Sequence, residues 1–127
     1  MLDGVTPEQA YARPVAAGHS IWELVLHLIG TYDLVLRRLQ GDGTRLTLDE
    51  DWPQVPSATD SNWRETIGSL KERNQRLRRA VAGFNSEQLD KPLVAEPPYT
   101  AYTQFIGITQ HDLYHAGQIA ILKKALG

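Results

Sequence analysis

Gln110-His111-Asp112-Leu113-Tyr114-His115-Ala116-Gly117-Gln118 lies inside an apolar run extending from Tyr102 to Leu126. If that run is a helix, His111 and His115 stand one turn apart on a single face, with Cβ atoms roughly 5–6 Å from each other. Ile108, Gln118 and Leu122 share the face, so it points into a core and not into water. Two imidazoles so placed can converge on one cation, because a bound metal lies about 2 Å from each ligating nitrogen. His27 offers a third imidazole on another apolar stretch far away in sequence. Two readings stand side by side. Either these are three core histidines, each needing its own hydrogen-bond partner, or they share one metal.

The chain around them, at 127 residues, is expected to form a single domain over residues 1–127 with a proper core. Hydrophobic residues at 42% and charged residues at 22% suit an ordinary globular protein. A formal charge of −2 gives no electrostatic reason to expect nucleic acid or an anionic membrane as partner. No apolar run approaches the ~20 uninterrupted residues of a membrane span. The start Met1-Leu2-Asp3-Gly4-Val5 lacks the features of a signal peptide, which makes a cytoplasmic location the default expectation. The absence of cysteine excludes disulfides, thiolate ligands and a cysteine nucleophile. Any transition-metal site must therefore use imidazole, carboxylate or water.

Periodicity and caps predict the elements. Thr6-Pro7-Glu8-Gln9-Ala10-Tyr11 has a cap, a proline at the first helical position and an acidic first turn, so a short helix is expected. Ser20 and Glu23 form a capping box that starts a long helix to Leu39, with Ile21, Leu24, Val25, Leu28, Tyr32, Val35 and Leu39 on its core face. Arg37 and Arg38 suit the negative end of its dipole. Residues 40–61 show no periodic pattern; Asp49-Glu50-Asp51 reads as a solvated turn in which Trp52 pins the loop to the bundle. A second long helix is expected over Asn62–Phe84, where the near-heptad seam contains one polar residue, Asn74. Ser86–Asp90 suggests a short capped turn, and Thr100–Leu126 the last long helix. Gly117, mid-helix, points to the close approach of a neighbour or to access beside His115. No strand pattern or internal repeat is visible.

His19-Ser20-Ile21-Trp22-Glu23-Leu24-Val25-Leu26-His27-Leu28 and Gly107-Ile108-Thr109-Gln110-His111-Asp112-Leu113-Tyr114-His115-Ala116-Gly117-Gln118 together resemble the DinB-like (DinB/YfiT) family. Asp51-Trp52-Pro53 followed by Asn62-Trp63-Arg64 fits the same pattern. The resemblance implies an all-α, up-down-down-up helical bundle with a divalent metal, typically nickel or zinc, held by His27, His111 and His115. It also implies a homodimer. Characterised relatives include thiol S-transferases that use bacillithiol and related low-molecular-weight thiols; others are described as metal-dependent hydrolases. Relatives carry a long helix ahead of the segment that matches Leu2–Thr6, so this bundle is expected to lack the family's first long helix.

Three neutral imidazoles leave open positions on a metal, the arrangement of a catalytic rather than a structural site. Metal-activated thiol S-transfer or hydrolysis of a small-molecule substrate is the leading expectation, with the thiol supplied by a cosubstrate. Glu23 and Asp112 are candidates to orient an imidazole, and Tyr114 and Gln118 to line the site; no catalytic side chain is assigned. His19 is expected to take no part, and no ligand is expected from Asp49, Glu50 or Asp51. The alternative is an inactive bundle that binds a small molecule or a protein.

Overall fold

A computed structural model describes residues 1–127. It contains α1 (Pro7–Tyr11), α2 (Ile21–Leu39), α3 (Leu48–Asp51), α4 (Asp60–Ala82) and α5 (Ala101–Leu126), with a 3-10 turn at Ser86–Gln88. The chain is all helical, as its periodicity requires. Each helix starts on a hydroxyl that accepts from an otherwise orphaned backbone N–H. At α2, Ser20 Oγ accepts from Glu23 N at 3.1 Å, and Ser20 N donates back to the Glu23 carboxylate at 2.9 Å. Thr59 caps α4 and Thr100 caps α5 in the simpler one-way form. The expected start of α4 at Asn62 moves back to Asp60, because Thr59 takes the Asn62 N–H; its end retreats to Ala82, with Gly83 as the cap.

Two expectations for the 40–61 segment need correction. It is not without regular structure: α3 forms there, closed by Thr47 and Glu50 in the same reciprocal box that starts α2. The acidic triplet also does more than turn in solvent. Glu50 accepts from Arg37 Nη2 at 2.6 Å, and Asp51 reaches the buried face of α2.

Side-chain pairs set the helix directions. Trp22 Nε1 donates to Thr66 Oγ1 at 3.1 Å, and further along Arg73 Nε donates to Asp33 at 2.9 Å, so α2 and α4 run parallel. Arg38, near the end of α2, donates to Gln104, near the start of α5, while His27 meets His111. Helices α2 and α5 are therefore antiparallel. Helix α2 is the hub: Ile21, Trp22, Leu24, Val25, Leu28, Tyr32 and Val35 are all buried, covered by α4 and α5 with α1 and α3 closing the remaining sides. From α4 come Trp63, Leu70 and Leu77, and from α5 Phe105, Ile119 and Leu122. Asn74, the polar residue of the α4 seam, donates to Tyr32 Oη at 3.3 Å, and that hydroxyl donates on to Asp112 at 2.8 Å. One polar chain thus ties α4, α2 and α5 together. The outer face of α5 is apolar and exposed, with Leu113 at 69% and Ile121 at 67%.

Glycines mark where elements touch. A Cβ at Gly30 would lie 2.7 Å from the Glu50 carbonyl oxygen, so the absence of a side chain there lets α3 dock on α2. Around Gly117 there is nothing within 4 Å. No neighbouring helix approaches it, so the first of the two expected uses, close helix approach, does not hold. Gly30→Ala should therefore cost about 1–3 kcal/mol, because the obstacle is backbone. Gly117→Ala should instead stabilise by up to about 1 kcal/mol through helix propensity. Urea unfolding of both variants checks the opposite signs.

Candidate metal centre

The antiparallel packing of α2 and α5 brings His27, one-third of the way along α2, against the middle of α5. His27 Nε2 lies 3.0 Å from His111 Nε2, and His115 Nε2 lies 3.1 Å from the same atom. One ring nitrogen from each of these three residues lies within 4.8 Å of the other two, so together they form a group able to hold an ion. His27 and His115 are buried, and His111 is half-buried.

What each ring does on its far side fixes its tautomer. His27 Nδ1 is 2.8 Å from the Asp51 carbonyl oxygen and 3.0 Å from Asp51 Oδ1, which are both acceptors. Nδ1 therefore carries the proton, and the neutral ring presents a lone pair at Nε2. His115 Nδ1 donates to Gln118 Oε1 at 2.6 Å, so its Nε2 is a lone pair as well. Two lone pairs thus aim at His111 Nε2, and a single N–H there cannot serve both well. On its other side, His111 Nδ1 is buried with no partner. A cation among the three Nε2 atoms removes the conflict. Two nitrogens each about 2 Å from one ion, at angles near 90–110°, stand about 3 Å apart, which matches the two spacings to His111. The donor set fits nickel or zinc; with only nitrogen donors and no fixed carboxylate cage it is a poor match for calcium or magnesium.

Burial, then the neighbouring His115 and His27, depresses the pKa of His111 to about 4. That of His115 is lowered chiefly by burial, which outweighs its bond to Gln118. Both rings are therefore neutral at pH 7, the state a metal requires.

Trp52 covers the His27 side. Its ring stacks on His27 at 4.0 Å between centroids with planes 1° apart, and on its other face against His19 at 3.8 Å. Trp52 does pin the loop, and the imidazole of His27 is what it is pinned to. His19 stays outside the cluster, as expected, and faces Glu23 at 3.4 Å. Glu23 binds Arg13 and caps α2, and Asp112 accepts from Tyr32, so neither of the expected orienting carboxylates touches a ring of the cluster. Asp51 and Gln118 do that work. Tyr114 is exposed and meets the His115 ring edge-on at 5.0 Å. A cavity of about 310 Å³ opens between α2 and α5, with His111 in its wall.

The fold and site define a class: a helical bundle with a buried three-histidine cluster at the contact of two antiparallel helices. A family model described as the DinB superfamily matches residues 1–119, and the chain belongs to that superfamily. Among curated proteins and solved structures, nothing matches the chain.

The depressed histidine pKa values carry a sign. A ring that is neutral when folded, yet titrates near 6.5 when unfolded, takes up a proton on unfolding at pH values between the two. Stability from His111 and His115 is full above about pH 6.5 and is lost as pH falls below it, for His111 through the window down to about 4. The metal-free protein should thus melt at a lower temperature at about pH 5.5 than at about pH 7, a range above ordinary carboxylate titration. Replacing His111 with Gln should flatten that slope, as thermal melts across the range would record.

Proposed function

We propose that the protein is a divalent-metal-dependent enzyme in which His27, His111 and His115 hold nickel or zinc through Nε2. The convergence of two fixed lone pairs on a third imidazole nitrogen carries the proposal. Bound there, the metal supplies Lewis acidity that brings the pKa of a coordinated water or thiol toward 7. The reaction class is thiol S-transfer or hydrolysis of a small molecule, and with no cysteine in the chain the thiol comes from a cosubstrate.

The protein's own residues do the positioning. Asp51 accepts from His27 Nδ1 and Gln118 from His115 Nδ1, which fixes both rings and strengthens them as donors. Trp52 shields one face of His27 from water. The cavity beside His111 leaves the α2–α5 side open to a substrate. A symmetric homodimer is part of the proposal, supported by Ile106, Leu113 and Ile121 on the exposed face of α5.

Elemental analysis and thermal melting of untagged protein, with and without added nickel or zinc, test the ligand set. The unsubstituted protein and His19→Ala should carry metal and gain on the order of 10 °C at about a hundredfold excess over Kd. His27→Ala, His111→Ala and His115→Ala should lose both. Asp51→Asn keeps the backbone acceptor of His27 and should lose only about tenfold in metal affinity. If the three alanine variants behave like His19→Ala, they are core histidines and the enzyme assignment fails with them.

A further inference from the structure

Arg38 differs from the paired arginines of the bundle in having a buried guanidinium nitrogen with no partner. Arg13 pairs with Glu23, Arg37 with Glu50, and Arg73 with Asp33 and Glu72. Arg38 has no carboxylate partner: Nη1 donates to Gln104 Oε1 at 2.8 Å, and Nε is buried with no partner at all. Burial and the nearby charge of Arg45 both press its pKa downward, the mark of a cation held without compensation. An isolated half-buried guanidinium is costly unless something anionic completes it.

Its position says where that anion sits. Arg38 lines the same cavity of about 310 Å³ that His111 lines, with Leu34, Val35 and Ile108 forming apolar walls between them. Arg38 is hydrogen-bonded at the level of Gln104, two turns of α5 before His111, so the polar ends of the groove are separated by about 10 Å along the helix. The volume is that of a small-molecule pocket. The groove has a charge at one end, hydrocarbon along its length and imidazole at the other.

We propose that this groove binds a linear amphipathic carboxylate, its anion on Nη2 of the Arg38 guanidinium, its apolar chain on Val35 and Ile108, and its far end beside His111. A carboxylate accepts a charge-assisted hydrogen bond from Nη2, the guanidinium nitrogen left with neither a partner nor full burial. The inference rests on the three-histidine centre only for what happens at the far end; binding at Arg38 needs no metal. The groove thereby selects the substrate class: chains with an acid about 10 Å from the reacting group.

The test uses octanoate as probe and 1-octanol as its uncharged counterpart, titrated by calorimetry and by amide NMR into metal-free and zinc-loaded protein. Octanoate should bind both forms saturably, shifting amides of Leu34–Arg38 and Thr103–Ile108. Arg38→Met should weaken octanoate at least tenfold and leave the weaker binding of octanol unchanged. Arg38→Lys, which keeps the charge but not the fork, should fall between. Gly107→Leu places a side chain where nothing lies within 4 Å and should block both ligands, and melting curves confirm that each variant is folded. Octanoate affinity equal in the unsubstituted and Arg38→Met proteins would overturn the proposal, as would the absence of saturable binding. Binding confined to the zinc-loaded form and indifferent to Arg38 would also overturn it, since the carboxylate would then be on the metal; this leaves the three-histidine assignment standing. Failure of that assignment, with no metal bound, leaves the Arg38 dependence measurable in the metal-free protein.

Discussion

Two imidazole nitrogens, each about 3 Å from a third in a largely buried contact, impose the main constraint on this molecule. In the neutral rings these two are lone pairs, because Asp51 and Gln118 accept from the opposite ring nitrogens. Without an ion, the contact between α2 and α5 carries an electrostatic penalty at its centre. With one, the same contact becomes a clamp. If the three rings hold an ion as proposed, stability and chemistry depend on the same few atoms, and protons and metal compete for them.

Much of the remaining structure serves that contact. The hub helix α2 is buried around most of its surface, so His27 cannot swing away. Gly30 admits the α3 backbone to the α2 surface, Arg37 fastens Glu50, and Asp51 and Trp52 then arrive at His27 together. On the opposite side, Asn74, Tyr32 and Asp112 link all three long helices one turn away from the cluster. Asp112 is the residue next to His111, so this chain fixes the rotation of α5 that points His111 inward. The order of directions, two parallel helices followed by one antiparallel, matches the last three members of an up-down-down-up bundle.

The fold was legible because its signals are local. Capping residues, the 3.6-residue stripes and the prolines between them all act within a turn or two, and the three long helices follow from them. The contact among His27, His111 and His115 was legible only in part: spacing places two rings on one face and the apolar stretch around His27 offers a third, while the choice between a shared metal and three separate core histidines came from the DinB resemblance. What escaped was set by docking. Thr47 and Glu50 repeat the box signal used at Ser20 and Glu23, yet the surrounding acidic run reads as solvent-facing until Arg37 and Gly30 give it a seat. Glu23 and Asp112 were reasonable orienting groups by sequence proximity, but each has a nearer partner in space. Arg37 and Arg38 are equivalent in sequence as helix-end cations. Only the position of Glu50 separates a paired arginine from one left facing a groove.

Anomalous diffraction from crystals of untagged protein, collected on both sides of the nickel and zinc absorption edges, addresses the central claim most directly. One anomalous peak should appear per chain, about 2 Å from Nε2 of His27, His111 and His115 together, with Asp51 and Gln118 still on the outer nitrogens. A peak elsewhere, or crystals grown with either metal that show none among the three rings, would contradict the account.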